Sequence, residues 1–166
     1  TEFATMDTVT GAWGAAQNDI DLDMSDFTTN APIVLKTGAQ VAATTVDITL
    51  HAFTGALNLD LVTDAATNVL VANHASNHAD TSALETALEV GGDLQLTTGG
   101  ANTINETFLA AYDDGSDTYI AKVRNLANGV GNDGLFGTGT LQATNLIKLS
   151  GVTDVTALVD TEVIMY

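Results

Sequence analysis

The chain has 166 residues, 21 of them acidic and only 4 basic, giving a formal charge of −17, and it contains no cysteine. That balance sets nucleic acid and anionic membrane surfaces aside as partners, because phosphate attraction becomes repulsion; the lack of cysteine removes disulfides, thiolate metal sites and thiol nucleophiles. With 45% apolar and 15% charged residues, the chain can bury a core of single-domain size and is no disordered acidic tail.

The opening TEFATM has no basic segment leading into an apolar one, so any export leader is expected to lie outside it. In DIDLDM (19–24), Ile20, Leu22 and Met24 alternate with Asp19, Asp21 and Asp23, the period of a half-buried strand with an acidic outer row. PIVLK (32–36) is a short strand opened by the chain's single proline. TTVDITLHAF puts Val46, Ile48 and Leu50 on one face, opposite Asp47, Thr49 and His51. Gly55 breaks that run and Leu57, Leu59 and Leu61 resume it, so the two segments are expected to form a hairpin. NVLVA (68–72) is a further strand.

The period then changes. Ala83, Leu84, Ala87 and Leu88 recur at helical spacing, Ser82 with Glu85 fits a capping box, Asp80 and Thr81 are alternative caps, and Gly91-Gly92 ends the helix. Strands resume at LQLTT (94–98), TFLAAY (107–112), TYIAKV (118–123), NLIKL (145–149) and TEVIMY (161–166); the glycine-rich NGVGNDGLFGTGT before Leu141 is a long loop. About nine strands and one helix predict a mainly β fold, an antiparallel β-sandwich or roll with a short helix near residues 82–90. Residues 1–166 are expected to form a single β-rich domain, with lobes 1–79 and 80–166 as the alternative division. No apolar run approaches the ~20 residues needed to span a bilayer.

Chemistry concentrates in a few places. The turn in AYDDGSDTYIAKV supplies Asp113, Asp114 and Asp117 with Ser116, three carboxylates and a hydroxyl of the kind calcium takes as ligands. The same residues also suit a tight turn in which Asp and Gly serve local backbone geometry. Asp19, Asp21 and Asp23, with Asp26, could hold calcium between strands or chains. Carboxylates two residues apart on one strand sit roughly 6.5–7 Å apart, so a second strand must contribute; a solvated acidic face is the alternative. His74 and His78 in NHASNHAD have the i, i+4 spacing of a metal pair, but no Glu follows His74, and Asn73, Ser76 and Asn77 favour a polar loop. His51 stands alone on a polar strand face. No nucleophile elbow, phosphate loop or dinucleotide fingerprint occurs, and aromatics that would line a sugar-binding cleft are few, with Trp13 the single tryptophan. The chain is therefore not expected to be an enzyme, and calcium is the one cofactor expected. Asn105-Glu106-Thr107 matches a glycosylation sequon and is assigned no role.

From about Thr103 to Tyr166, TFLAAYDDGSDTYIAKV, a loop, and then NLIKLSGVTDVTALVDTEVIMY follow one another in the order of strand, Leu-x-Gly-Val and an acidic-then-apolar tail. This block resembles the C-terminal region of bacterial proteins exported by type I secretion, the RTX-like group of adhesins, surface-layer proteins and toxins. The glycine–aspartate nonapeptides of that group do not occur. The resemblance implies a chain that leaves the cell unfolded and folds where calcium relieves its charge. Together with the low lysine and high Asp, Thr and Asn content, it leads to an expected secreted, extracellular or cell-surface location. The expected role is a structural subunit of a bacterial surface assembly, a filament, surface layer or adhesin, joined to copies of itself by strand pairing with calcium assisting. Cell-surface or matrix components are further candidate partners. A ligand- or carbohydrate-binding module of a larger secreted protein, and a secreted hydrolase fragment, are the alternatives.

Overall fold

A computed structural model describes residues 7–10, 20–22, 46–47, 49–59, 67–98, 107–127, 134–158 and 163–165. In chain order these carry strands β1 (Asp7–Thr10), β2 (Ile20–Leu22), β3 (Val46–Asp47), β4 (Thr49–Phe53), β5 (Leu57–Asn58) and β6 (Thr67–Ala72), then helix α1 (Thr81–Leu88). They continue with β7 (Leu96–Thr97), β8 (Thr107–Asp113), β9 (Asp117–Asn125) and β10 (Leu141–Ser150), a 3-10 turn (Val155–Ala157) and β11 (Val163–Met165). The strand expected over 32–36 lies outside the described residues.

Six strands form the main sheet in the order β1-β10-β9-β8-β6-β4. The fold is mainly β with one α-helix among the described residues, but the sheet is mixed where antiparallel pairing was expected. β10, β9 and β8 are antiparallel neighbours, whereas β8, β6 and β4 run parallel and β1 runs parallel to β10. The physical reason is legible in burial. All of Val69–Ala72 and Thr107–Tyr112 are buried, because NVLVA and TFLAAY are continuous apolar runs rather than alternating ones, the mark of strands covered on both faces. Leu70, Ala72, Phe108, Ala110 and Tyr112 face one apolar cluster; Val69, Val71, Leu109 and Ala111 face another. The chain crosses from β6 to its parallel neighbour β8 through α1, as parallel pairs require. β6 and β8 lie on opposite sides of residues 79–80 and are hydrogen-bonded to each other.

On the first face α1 buries Leu84, Ala87 and Leu88 against the sheet, and each fully buried leucine contributes roughly 1.5–3 kcal/mol. Asp80 caps the helix by accepting from Ala83 N–H at 2.9 Å; the alternative cap is the one used, and Glu85 is not spent on a capping box. The glycine-rich loop is not all solvated. Its residue Phe136 is fully buried in the helix-side core, 6.3 Å from Phe108 ring to ring. On the opposite face Leu146, Ile147 and Leu149 pack with Val152, Val155 and Leu158. The phase change that brings the neighbours Leu146 and Ile147 to one side comes from a bulge in β10 between Asn145 and Ile147.

The hairpin expected across Gly55 does not form. β4 pairs in parallel with β6, and β5 pairs in parallel with β7 through Leu57↔Leu96 and Asn58↔Thr97. Leu57 and Leu59 are drawn into the helix-side core with Leu94 and Leu96, a tertiary gain that outweighs local pairing. The three-stranded sheet β2-β11-β3 joins the two ends of the sequence, with β11 in the middle, parallel to β2 and antiparallel to β3. Asp7–Thr10 and Val163–Met165, described strands near the two ends of the sequence, are thus both paired within the chain.

Candidate functional site

The acidic turn lies between β8 and β9, where strands in register at Asp113↔Thr118 must reverse. Asp114 N–H donates to the Asp117 carbonyl at 3.0 Å, and Gly115 sits at φ +85°, a left-handed conformation that glycine adopts without a Cβ penalty. A Cβ there would also collide with the Asn77 side-chain amide.

Each carboxylate of the turn is taken up by groups of the protein. Asp114 Oδ1 accepts from the N–H groups of Ser116 and Asp117, both at 2.8 Å, and its Oδ2 accepts from the Tyr119 hydroxyl at 2.9 Å. Asp113 Oδ1 accepts from Gly115 N–H at 3.1 Å and Oδ2 from Val155 N–H at 3.3 Å. Asp117 Oδ1 accepts from Gly151 N–H at 2.8 Å and Ser150 Oγ at 3.2 Å, while Oδ2 pairs with Lys148 Nζ at 2.6 Å. The turn therefore ties β8 and β9 to the 148–155 segment, helped by the Thr118 hydroxyl donating to the Val152 carbonyl at 2.8 Å.

The charges follow this wiring. The Lys148 ammonium, then the Gly151 N–H, hold Asp117 below the usual carboxylate range, and the same pairing raises Lys148. At Asp114 burial acts to raise the pKa, but the Asp117 and Ser116 N–H groups and the Tyr119 hydroxyl together outweigh it and the net shift is downward. Burial, then the bond to Asp114, raises Tyr119. Lys148 also sits over the Tyr119 ring, 5.7 Å from its centroid, and Tyr119 stacks on Tyr112 at 5.1 Å. Tyr112 is fully buried, donates to Asn145 Oδ1 at 3.0 Å, and is pushed up to about 12, chiefly by burial.

The loop that precedes α1 closes over this end of the sheet. His78 N–H donates to the Asp113 carbonyl at 2.9 Å. With its amide nitrogen toward the turn, Asn77 donates to Asp113 Oδ1 at 3.2 Å and accepts from Gly115 N–H at 3.1 Å. The His74 and His78 rings stack at 6.3 Å. They are not on a helix, in keeping with a polar loop. His74 Nδ1 accepts from Ser76 N–H at 3.2 Å. His78 is 7% exposed with Nε2 unpartnered, and burial, then His74, lowers its pKa.

The structure thus brings Asp113, Asp114 and Asp117 together in one turn, but aims their oxygens at backbone, hydroxyl and ammonium groups. Among the described residues no three His, Asp or Glu side chains converge in a way that could hold a metal ion. Asp21 lies on β2, paired with Ile164 of β11; Asp19, Asp23 and Asp26 lie outside the described residues. His51 is on β4. Of the sequon, Thr107 is buried with its hydroxyl unpartnered, and Asn105 and Glu106 lie outside the described residues.

Glu85 in α1 and Glu89 at its C-cap hold β10 through contacts their spacing in sequence does not announce. Glu89, 5% exposed, accepts from Gly139 N–H at 2.7 Å and Leu141 N–H at 2.8 Å through its two oxygens. Glu85 Oε1 accepts from Ala143 N–H at 2.6 Å. The signal available in sequence was weak: Glu89 interrupts the apolar stretch Ala87-Leu88-Glu89-Val90, an unusual place for a solvated charge. Comparison with family models, with curated proteins and with solved structures finds no match for this chain.

Proposed function

We propose that the chain is a non-enzymatic, extracellular structural protein, a subunit of a bacterial surface assembly joined to copies of itself by strand pairing, with calcium assisting. The observation that carries this reading is β1. Four residues from the N-terminal part of the chain form an outermost strand of the main sheet, parallel to Ile147–Ser150 of β10. The same segment of a neighbouring copy makes the same main-chain bonds, the exchange through which an edge strand links protomers. The composition supports an external location, and Val155 and Leu158, buried ahead of β11, suit a second sheet layered on the first as a sandwich. Calcium enters as the counter-ion that lets copies carrying −17 each approach.

The test is the mass of the full chain by light scattering, with millimolar calcium and with chelator, beside a variant lacking residues 1–13. Assembly in calcium that weakens with chelator at low salt, and is lost on truncation, is the expected result. Calcium should also raise the melting midpoint, by mass action. A full chain that stays monomeric at high concentration in calcium overturns the reading.

A further inference from the structure

The outer edge of β10 is closed in two different ways. Its C-terminal half, Ile147–Ser150, carries β1. Its N-terminal half carries no strand on that side among the described residues, although Leu141–Asn145 are paired to β9 on the other. In an antiparallel pair alternate residues direct their N–H groups away from the partner; Leu141 and Ala143 are two such residues, and Gly139 stands two positions ahead of them in the turn that leads into β10. All three donate to carboxylates at the end of one helix, Gly139 and Leu141 to its C-cap residue Glu89 and Ala143 to Glu85.

We infer that Glu85 and Glu89 act as edge guards: the last turn of α1 with its C-cap residue takes the hydrogen-bonding place of a strand and keeps the first half of β10 from pairing with the edge of a second copy. A free row of alternate N–H groups is the surface that recruits another strand, and a second copy supplies one of matching chemistry, since β1 already adds in parallel along the same edge. Carboxylates block it doubly. They occupy the donors without offering donors of their own, and they present negative charge to a chain that is itself −17. This inference compares variants with the unaltered chain, so it stands or falls separately from the assembly proposed above.

The experiment uses the full chain, the Glu85→Ala/Glu89→Ala and Glu85→Gln/Glu89→Gln double variants, and Glu85→Ala alone. Mass by light scattering and amide exchange at Leu141 and Ala143 are followed across protein concentration. The alanine pair should show at least a doubling of mass relative to the unaltered chain. Its two amides should exchange about tenfold or more faster when dilute and regain protection as concentration rises. The glutamine pair, which loses the same charge but keeps amide oxygens as acceptors, should gain less mass than the alanine pair. A folded alanine pair with unchanged mass at every concentration overturns the inference, as does an equal gain of mass in the glutamine pair. Should the alanine pair fail to fold, Glu85→Ala decides: protection at Ala143 that grows with concentration supports edge guarding, and fast exchange at every concentration overturns it.

Discussion

Asp114 and Glu89 are both carboxylates that accept two backbone N–H groups, and they do so over very different lengths of chain. Asp114 reaches groups two, three and five residues ahead; Glu89 and its helix neighbour Glu85 reach groups 50, 52 and 58 residues ahead. The turn's carboxylate fixes a local reversal whose strands are already in register. The helix carboxylates fix where α1 lies along β10, a relation nothing local specifies. An acidic residue in this chain is therefore better understood through the donor it satisfies than through the net charge it adds, and the energetic weight should follow burial of that donor.

The comparison is broken most directly by Glu89→Ala. It leaves Leu141 N–H buried and Gly139 N–H without its acceptor, and should cost about 2–4 kcal/mol in a denaturant titration; a loss below that of any turn substitution would reverse the ranking. Asp114→Ala removes three acceptor contacts from a more exposed site and should cost about 1–2 kcal/mol. Asp114 also gives a pH signature of known sign. Its folded pKa lies below the ordinary 3.8, so its contribution is fully present above that value and is lost as pH falls through the folded one. Asp114→Asn should lack this acid-side loss, and its stability curve should converge with that of the unaltered chain in strong acid.

Gly115→Ala sharpens the local side of the comparison. The left-handed backbone and the contact with Asn77 should together cost about 1–2 kcal/mol by thermal melting, together with faster exchange at His78 if the loop before α1 is displaced. Lys148→Met should have the smallest effect. Its pair with Asp117 is partly exposed, so the change in midpoint should fall below that of Gly115→Ala and shrink further in molar salt.

What could be read from the sequence tracks this division between local and distant determinants. The reversal at Asp113–Asp117 depends on neighbours and was legible, as were the strands at β6, β8 and β9, whose apolar runs are long; the helix expected to stop at Gly91-Gly92 instead ends at Leu88, with Glu89 as its C-cap. The direction of pairing was not. NVLVA and TFLAAY hold the continuous apolar pattern of doubly covered strands, yet alternation elsewhere in the chain favoured an antiparallel reading. The hairpin expected across Gly55 failed because Leu57 and Leu59 find Leu94 and Leu96, and no pattern within 46–61 encodes those partners. Phe136 reads as loop because its neighbours are glycines, although one aromatic anchor in such a stretch is enough to bring it into the core. For the candidate site, the sequence located the acidic turn but not the Lys148, Val155 and Gly151 groups that consume its carboxylates.

The parallel pairing of β1 with β10 has a kinetic consequence. Asp7–Thr10 has its strand partner 140 residues further along the chain (Asp7↔Ile147), so the main sheet cannot close until β10 has been made. Contacts between such distant segments form slowly, and until they form the apolar faces of β6 and β8 lack part of their neighbourhood and are open to misassociation. A chain built this way completes its main sheet only once β1 and β10 are both free to pair, which makes completion of the sheet a late event in folding.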